Sequence, residues 1–225
     1  MGYTLVYTQV LEFFPYLIKG ALISLQIVIL AFFGGMFFGL IFATIRTFGN
    51  KLMNNMVICY VTFFTNTPQL VQIYFLFFAL PEFGILLSPF IAVLLGMTLN
   101  AAAYLCEIQR AGFLSIRQNE LDAAKTLNFT LTQQVKYVIL PHIMKVLFPP
   151  LSNHYIIMTL GTSMAAIFGV EELTGRAFNI NSETFRSVEI FSLTALVYIV
   201  ITFLATFMLA IIGRYFFKAK MRIIQ

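Results

Sequence analysis

Five long apolar stretches organise this sequence, and its charged residues lie between them. The stretches are residues 20–45, 52–81, 83–106, 146–170 and 190–213. A helix needs about 20 largely apolar residues to cross the hydrocarbon core of a bilayer. Lipid offers the backbone no hydrogen-bond partners, so a spanning segment must satisfy its own polar groups, as a helix does. We therefore predict an all-α membrane protein with five transmembrane helices in a single domain, residues 1–225.

Two features inside these stretches bear on how the helices are built. Thr67 and Pro68 interrupt the second stretch, so that a helix either kinks or begins there. The first stretch contains Gly34, Gly35 and Gly39, and small residues allow neighbouring membrane helices to approach closely. We expect these glycines to be packing positions between helices.

The composition supports a membrane setting. Hydrophobic residues make up 60% of the chain and charged residues only 10%, whereas a soluble domain carries about 25% charged residues. Such a chain cannot cover its surface against water, so membrane lipid must cover part of it. The net charge of +5 does not indicate nucleic acid, because the basic residues are scattered among the apolar spans and are better explained as topology signals.

The distribution of basic residues predicts the orientation. Five spans place the termini on opposite sides, and cytoplasmic loops carry the excess of Lys and Arg. A cytoplasmic C-terminus places eleven basic residues inside and three outside. The inner set is Arg46, Lys51, Arg110, Arg117, Lys125, Lys136, Lys145, Arg214, Lys218, Lys220 and Arg222, and the outer set is Lys19, Arg176 and Arg186. We expect the N-terminus outside and residues 218–225 in the cytoplasm.

Little in the sequence indicates catalysis or metal binding. Cys59 and Cys106 lie within apolar stretches, and His142 and His154 have no neighbouring ligands at metal-binding spacing. No cluster of His, Cys, Ser and acidic residues has useful catalytic spacing. The sequence also lacks a phosphate-binding loop of the Gly-x-x-x-x-Gly-Lys-Ser/Thr type. We expect neither a metal nor a cofactor on this chain, and no enzymatic activity.

The segment of about residues 111–141 is the longest predicted cytoplasmic region, and its pattern predicts two short helices. Asn119 suits an N-cap, with Glu120 and Asp122 in the first helical turn. Ala123 and Ala124 continue the helix.

A tight turn should join this helix to a second one. Asn128 suits a left-handed position after the first helix. Thr130 and Gln133 have the spacing of a capping box, and the second helix is expected to end at Leu140-Pro141. Two readings stay open on this pattern: a knob that docks a partner, or an amphipathic segment on anionic lipid, with Lys125 and Lys136 at the headgroups.

This loop resembles a motif of a known family. Residues 122–128 read Asp-Ala-Ala-Lys-Thr-Leu-Asn, and Ile139-Leu-Pro141 follows. They resemble the loop of ABC importer permeases that reads Glu-Ala-Ala, three residues, Gly and a spacer ending in Ile-x-Leu-Pro. Here Asp122 replaces the Glu and Asn128 replaces the Gly. Both changes are mild, because the acid is kept and Asn tolerates the left-handed conformation better than most residues.

Further motifs resemble the polar amino-acid branch of that family, the histidine, glutamine and arginine permeases. Residues 66–72 read Asn-Thr-Pro-Gln-Leu-Val-Gln, similar to Arg-Gly-Thr-Pro-Leu-Leu-Val-Gln in the branch. Residues 99–110 match Leu-Asn-x-x-Ala-Tyr-x-x-Glu-x-x-Arg. Other matching segments follow in family order: residues 149–153, 162–163, 169–173 and 184–186. The resemblance covers nearly the whole chain, from about residue 15 to about residue 215.

The resemblance implies a fold, a function and partners. It implies a permease with the type I ABC importer fold in a bacterial inner membrane, importing a polar amino acid. A cytoplasmic ATPase dimer would bind ATP and dock on the coupling loop, and a second permease subunit, related or identical, would complete the pore. An extracytoplasmic solute-binding protein would deliver the substrate. The loop residues implied in coupling are Glu120, Asp122, Ala123, Ala124 and Asn128.

Polar residues inside the apolar stretches are candidates for the substrate pathway. Asn100, Tyr104 and Glu107 share one helical face, and a polar stripe in a span usually faces a partner helix or a cavity. Glu107 alternatively forms an ion pair with Arg110 one turn on.

The other candidates lie near the break and in the fourth stretch. They are Thr67, Gln69, Gln72, Thr162 and Ser163. Hydroxyl groups in a helix often bond only to a carbonyl of the preceding turn, so each hydroxyl also has a purely local explanation.

Two departures from the family bear on the substrate. Thr65 stands where the family commonly has Arg, and Leu160-Gly161 stands where it commonly has Lys-Asp. An Asp would suit a cationic amino acid, whereas Gly161 cannot pair with one. Either the substrate is not basic, or this subunit is the half of a heteromeric pore that does not bind it.

The main alternative is a self-powered secondary transporter or channel for a small polar solute. Such a protein would show an inverted repeat, paired acids in its spans or a filter-like loop. No repeat is evident, and the acids assigned to the spans amount to Glu107, at the inner edge of the third stretch. That alternative also leaves the patterned loop unexplained.

Overall fold

The computed structural model of the chain describes residues 4–216, and every regular element in that range is helical. The residues 218–225 of the predicted cytoplasmic tail lie outside the described residues. The helices are α1 (Tyr7–Leu11), α2 (Phe14–Phe48), α3 (Lys51–Thr65), α4 (Gln69–Tyr74), α5 (Pro89–Leu114), α6 (Gln118–Thr126), α7 (Leu131–Gln134), α8 (Leu140–Gly161), α9 (Leu173–Thr184) and α10 (Ser187–Phe216). The fold is therefore all-α over the described range, as the sequence predicts.

Three of these helices, α2, α5 and α10, are long and apolar enough to cross a membrane. A fourth span results if the helical run Leu131–Phe168 and the following helix Leu173–Thr184, bent by 46°, are counted together. The described residues therefore provide three or four spans by length and composition. The predicted count of five stays a prediction.

The second apolar stretch, residues 52–81, is not one helix but is divided at the predicted interruption. Helix α3 ends at Thr65, and α4 begins at Gln69 with Pro68 as an extended N-cap residue. A proline disfavours helical backbone at the residue before it, so Thr67 is not helical and separates α3 from α4. Of the two geometries considered, a kink or a helix start, the structure has the helix start.

Two prolines that follow apolar helix are accommodated by π-helical segments. Segment Phe75–Ala79 precedes Pro81, and segment Val135–Ile139 precedes Pro141. In a regular α-helix a proline ring clashes with a carbonyl of the preceding turn, whereas a π turn contains one more residue and changes that register. The helical run therefore continues through Pro141 into α8, and the predicted end at Leu140-Pro141 is wrong.

The start of the predicted loop helix is also corrected. Helix α6 begins at Gln118 with Arg117 as its N-cap, and no side chain caps it. Asn119 lies inside the first turn and is not the cap. Glu120 lies in the first turn as predicted, where its negative charge interacts favourably with the positive end of the helix dipole, whereas Asp122 lies beyond that turn.

Packing divides the chain into two units. The first contains the chain up to Phe33, Thr67–Leu99 and Tyr155–Leu204. Its apolar core consists of Val10, Leu17, Ala21, Leu173, Ala177, Ile180, Ile190 and Val197. Apolar side chains from α1, α2, α9 and α10 thus pack together in this unit.

The second unit contains Gly34–Asn66, Asn100–His154 and the chain from Ala205 onward. A Cβ added at Gly35 would lie 2.6 Å from the Cβ of Ala101, and one added at Gly39 would lie 3.0 Å from the backbone nitrogen of Cys106. These two glycines bring α2 against α5, as predicted. The role of Gly34 and the single domain over residues 1–225 stay predictions.

Candidate functional site

The loop between α5 and α8 folds into a closed helix–turn–helix, residues 118–140, which we call the coupling knob. After α6, the N–H of Asn128 donates to the carbonyl of Lys125 at 2.8 Å, and that of Phe129 donates to Ala124 at 3.1 Å. These bonds form a Schellman motif. Asn128 has a φ of 56°, which confirms the predicted left-handed position.

The second helix of the knob begins with the predicted capping box. Thr130 accepts a hydrogen bond from the backbone N–H of Gln133, and the Gln133 side chain accepts one from the backbone N–H of Thr130. The Gln134 side chain donates to the carbonyl of Phe129 at 2.9 Å. The turn between α6 and α7 is therefore fixed from both sides, which makes it a compact element.

The predicted coupling residues all lie in this knob, with different surroundings. Ala124 is buried and Ala123 is exposed. The exposed carboxylate of Asp122 accepts from the Gln118 amide at 3.0 Å and lies 3.5 Å from the Lys125 ammonium group. Their role in ATPase coupling stays a prediction.

Glu120 contacts α8, a relationship that the sequence does not reveal. Its Oε2 lies 3.3 Å from Nδ1 of His142, in the first turn of α8. Both side chains are partly exposed, at 35% and 25%. The two residues are 22 positions apart in the sequence, and no local spacing rule connects them.

Asn100 and Tyr104 on α5 hold the C-terminal end of α3. The Asn100 amide donates to the carbonyl of Phe64 at 3.2 Å, and the Tyr104 hydroxyl donates to the carbonyl of Thr65 at 3.3 Å. The last carbonyls of a helix have no partner within that helix. Asn100 and Tyr104 of the polar stripe on α5 therefore face a partner helix, α3. A partner helix and a cavity were the two surroundings expected for such a stripe.

Glu107 lies between two arginines. Oε2 accepts from Arg110 at 3.3 Å, as the sequence predicts for an ion pair one turn apart. Oε1 is also paired with Arg46 on α2, which the sequence does not indicate. Both oxygens of the carboxylate are thus engaged by cations. The role of Glu107 in the substrate pathway stays a prediction.

Thr67 and Gln72 bridge the break before α4. The Gln72 amide donates to the hydroxyl of Thr67 at 2.7 Å and to its carbonyl at 3.1 Å. Nearby, a Cβ added at Gly161 would lie 3.8 Å from Oε1 of Gln69 and 3.6 Å from the methyl group of Met164. These are ordinary contact distances, so a Cβ at this position would fit beside Gln69.

Thr162 and Ser163 begin the 3₁₀-helical segment Thr162–Phe168, directly after α8. The Thr162 hydroxyl donates to the carbonyl of Thr159 at 2.7 Å, and the Ser163 hydroxyl donates to that of Leu160 at 2.9 Å. Both hydroxyls thus bond to a backbone carbonyl of the preceding turn, which is the local explanation that the sequence offered beside substrate contact. Thr162 is fully buried, whereas Ser163 is partly exposed.

A buried acid in the first unit also escapes the sequence analysis. Glu172 has no exposed surface and caps α9 by accepting the N–H of Gly175 at 2.9 Å. It also accepts from the hydroxyls of Ser24 at 2.8 Å and Tyr198 at 3.0 Å. One carboxylate thus connects α2, α9 and α10. The Glu171-Glu172 pair before α9 offers an N-cap signal, but its partners on other helices are distant in sequence.

The family match and the similar proteins all indicate the same family. Residues 35–218 match the family described as binding-protein-dependent transport system inner membrane component. The glutamine transport system permease protein of Escherichia coli strain K12 is 36% identical over 197 residues, covering 87% of this chain and 90% of that protein. A probable amino-acid ABC transporter permease protein of Vibrio harveyi is 33% identical over 201 residues, covering 88% of this chain and 89% of that protein.

A solved structure has the same fold. A chain from the crystal structure of an amino acid ABC transporter with histidines is 28% identical to this chain and superposes on it with a TM-score of 0.87. The match covers 94% of this chain and 99% of that chain. The family match covers well over half of the sequence. The chain therefore belongs to the binding-protein-dependent transport system inner membrane components, the permease subunits of ABC importers, which act with a separate ATPase.

Proposed function

We propose that this chain is the permease subunit of an importer for a polar amino acid. The observation that carries the proposal is the family match over residues 35–218, which spans the closed coupling knob. The relatives named for glutamine and amino-acid transport are 36% and 33% identical to this chain over most of its length. Likeness over most of each chain supports a related substrate class.

The coupling knob is proposed as the docking site of the ATPase. Leu127 and Leu131, on the two sides of its turn, are 69% and 77% exposed. Exposed apolar side chains beside Asp122 and Lys125 suit a partner surface with both apolar and charged groups. ATP would bind only to the partner, an ATPase dimer, and this chain would need no cofactor. Closure of the ATPase dimer would displace the knob, and hydrolysis would release it.

The substrate pathway is proposed to use the polar groups near the helix break and at the end of α8. In the first unit these are Thr67, Gln72, Thr162 and Ser163, and in the second they are Asn100, Tyr104 and Glu107. Many of these groups already bond to the protein itself. A substrate would therefore exchange partners with them during the cycle rather than meet unpaired groups.

The proposal includes an orientation and two further partners. The distribution of basic residues supports an orientation with the coupling knob and the C-terminus in the cytoplasm of a bacterial cell and the N-terminus outside. A solute-binding protein would then deliver the amino acid to the outer face. A second permease subunit, identical or related, would complete the pore.

Purification from native membranes in a mild detergent tests these assignments together. We expect an ATPase to co-purify, and mass spectrometry should identify it and any second permease. The complex should then take up a labelled polar amino acid into proteoliposomes when its binding protein and ATP are supplied. Uptake driven by an ion gradient without ATP would instead favour the secondary transporter.

A further inference from the structure

Two routes connect helix α6 of the coupling knob with helix α8. One is the backbone, which passes through the turn at Asn128, the four residues of α7 and the π-helical segment Val135–Ile139. The other is the side-chain contact between Glu120 and His142, at 3.3 Å. The two routes differ in stiffness.

The backbone route contains a weak point at its last step. The π segment replaces the regular α-helical hydrogen bonds, and the N–H of Leu140 donates to the carbonyl of Val135 five residues earlier. Pro141 then follows without any N–H to donate. Insertions of this kind are where helices bend. A displacement of α6 carried by this route alone would be partly absorbed before it reached α8.

The side-chain route bypasses that segment. Glu120 lies in the first turn of α6 and His142 in the first turn of α8, on either side of the π segment. Helix α8 then runs for 22 residues to Gly161 as one α-helical element, with Pro149 and Pro150 in its interior. A displacement transmitted to its first turn would enter α8 beyond the π segment, and the proposed pathway residues Thr162 and Ser163 follow the end of this helix.

The geometry of the histidine fits a directed contact. Nδ1 must carry a proton to donate to the Glu120 carboxylate. Nε2 of His142 is buried, and no group in the described part of the chain forms a hydrogen bond with it. Among the described polar groups, Glu120 alone therefore orients the ring. Partial burial of both side chains strengthens such a contact relative to an exposed pair.

We propose that Glu120 and His142 form the positioning contact through which displacement of α6 moves α8 during transport. This inference rests on the proposed function, because it assumes that an ATPase acts on the knob. The predicted consequence is specific to coupling: without the contact, the ATPase still binds and hydrolyses ATP, but less solute is moved per ATP.

The test uses the purified complex in proteoliposomes and measures ATP hydrolysis and solute uptake together. His142→Leu removes the donor at similar volume, whereas His142→Asn keeps a side-chain N–H close to the position of Nδ1. Lys145→Gln is the matched control, because Lys145 is exposed one turn further along α8. We expect His142→Leu to lower uptake per ATP about tenfold, in line with the loss of one charged hydrogen bond, and Asn to restore most of it.

If the His142→Leu complex fails to assemble, exchanging the two side chains provides a second test. Glu120→His and His142→Glu should each impair coupling, and the double variant should recover it. Unchanged uptake per ATP in His142→Leu, or a double variant no better than the single ones, would overturn the inference. A wild-type complex that lacks an ATPase, or takes up solute without ATP, would reject the proposed function itself.

Discussion

The Asn100 side-chain amide donates a hydrogen bond to the carbonyl of Phe64. In a continuous α-helix the backbone N–H of residue 68 would bond to that carbonyl, but residue 68 is a proline and has no N–H. Helix α5 thus supplies the hydrogen bond that the sequence removes from the end of α3. Asn100 is only 8% exposed, so water does not readily replace it. The interruption of the second apolar stretch and the polar residue on α5 are two parts of one arrangement.

Replacing Asn100 with Leu should therefore destabilise the protein. The change keeps the volume but leaves the Phe64 carbonyl without this donor, and we expect a loss of about 1 kcal/mol in the free energy of unfolding. Titration with a denaturing detergent would measure it. Thr98→Val is the matched control, because among the described residues the Thr98 hydroxyl donates only to the carbonyl of Leu94, within α5. Equal effects of the two variants would contradict the capping role of Asn100.

The left-handed residue in the coupling knob provides a second prediction. Asn128 has a φ of 56°, which a β-branched residue adopts only with strain of about 1–3 kcal/mol. Asn128→Val should distort the turn and lower uptake at least severalfold, while Asn128→Gly should retain it because glycine adopts this conformation freely. Uptake by reconstituted complexes, normalised to the amount of bound ATPase, is the measurement. If Val behaved like Gly, the turn geometry would not matter for coupling.

Removing the buried carboxylate of Glu172 should have a larger effect on stability. It accepts hydrogen bonds from Ser24, Tyr198 and Gly175, on three different helices or their ends. Glu172→Ala would leave these donors buried without that acceptor, at a cost of about 3 kcal/mol.

The neighbouring acid is the control for this prediction. The side chain of Glu171 is 56% exposed, so Glu171→Gln should change the unfolding free energy by less than about 1 kcal/mol. Thermal unfolding in detergent would compare the two variants. The unfolded fraction is measured by the reaction of the buried cysteine with a thiol-reactive fluorescent dye. A Glu172→Ala variant as stable as Glu171→Gln would show that the three hydrogen bonds contribute little.

Glu107 offers a choice between a structural and a transport role. Its carboxylate is shared by Arg46 and Arg110, so Glu107→Gln removes the only charge that separates the two cations in this contact. Because the Glu107 side chain is 39% exposed, we expect a modest loss of stability, about 1 kcal/mol. Substrate affinity measured in the same variant distinguishes the roles. A change in affinity without a change in stability would contradict the ion-pair reading.

Local chemistry made part of this structure predictable. The left-handed Asn128 and the Thr130–Gln133 capping box depend only on nearby residues, and both are present. The prediction for Pro141 failed because a π segment relieves the clash that normally ends a helix, and sequence spacing gives no sign of it.

The contacts that connect helices were harder to predict. Arg46 with Glu107, Glu120 with His142 and Ser24 with Glu172 join residues far apart in the chain. Hydrophobic periodicity specifies which face of a helix is apolar, but it does not specify which helix lies opposite. The polar stripe on α5 could therefore be recognised, while its partners at the end of α3 could not.

Gly161 is the position at which substrate preference can be tested most directly. A Cβ there would make only ordinary contacts, with Gln69 and Met164, so Gly161→Ala should fold and transport normally. Gly161→Asp would add a carboxylate beside the Gln69 amide, where partial burial makes an unpaired charge costly. A cationic substrate would offset that cost, and a neutral one would not. If this subunit lines the pathway, Gly161→Asp should raise uptake of lysine or arginine relative to glutamine about tenfold, measured by competition in proteoliposomes. An unchanged preference, with the Ala variant fully active, would place the recognition of the substrate side chain on the second permease subunit instead.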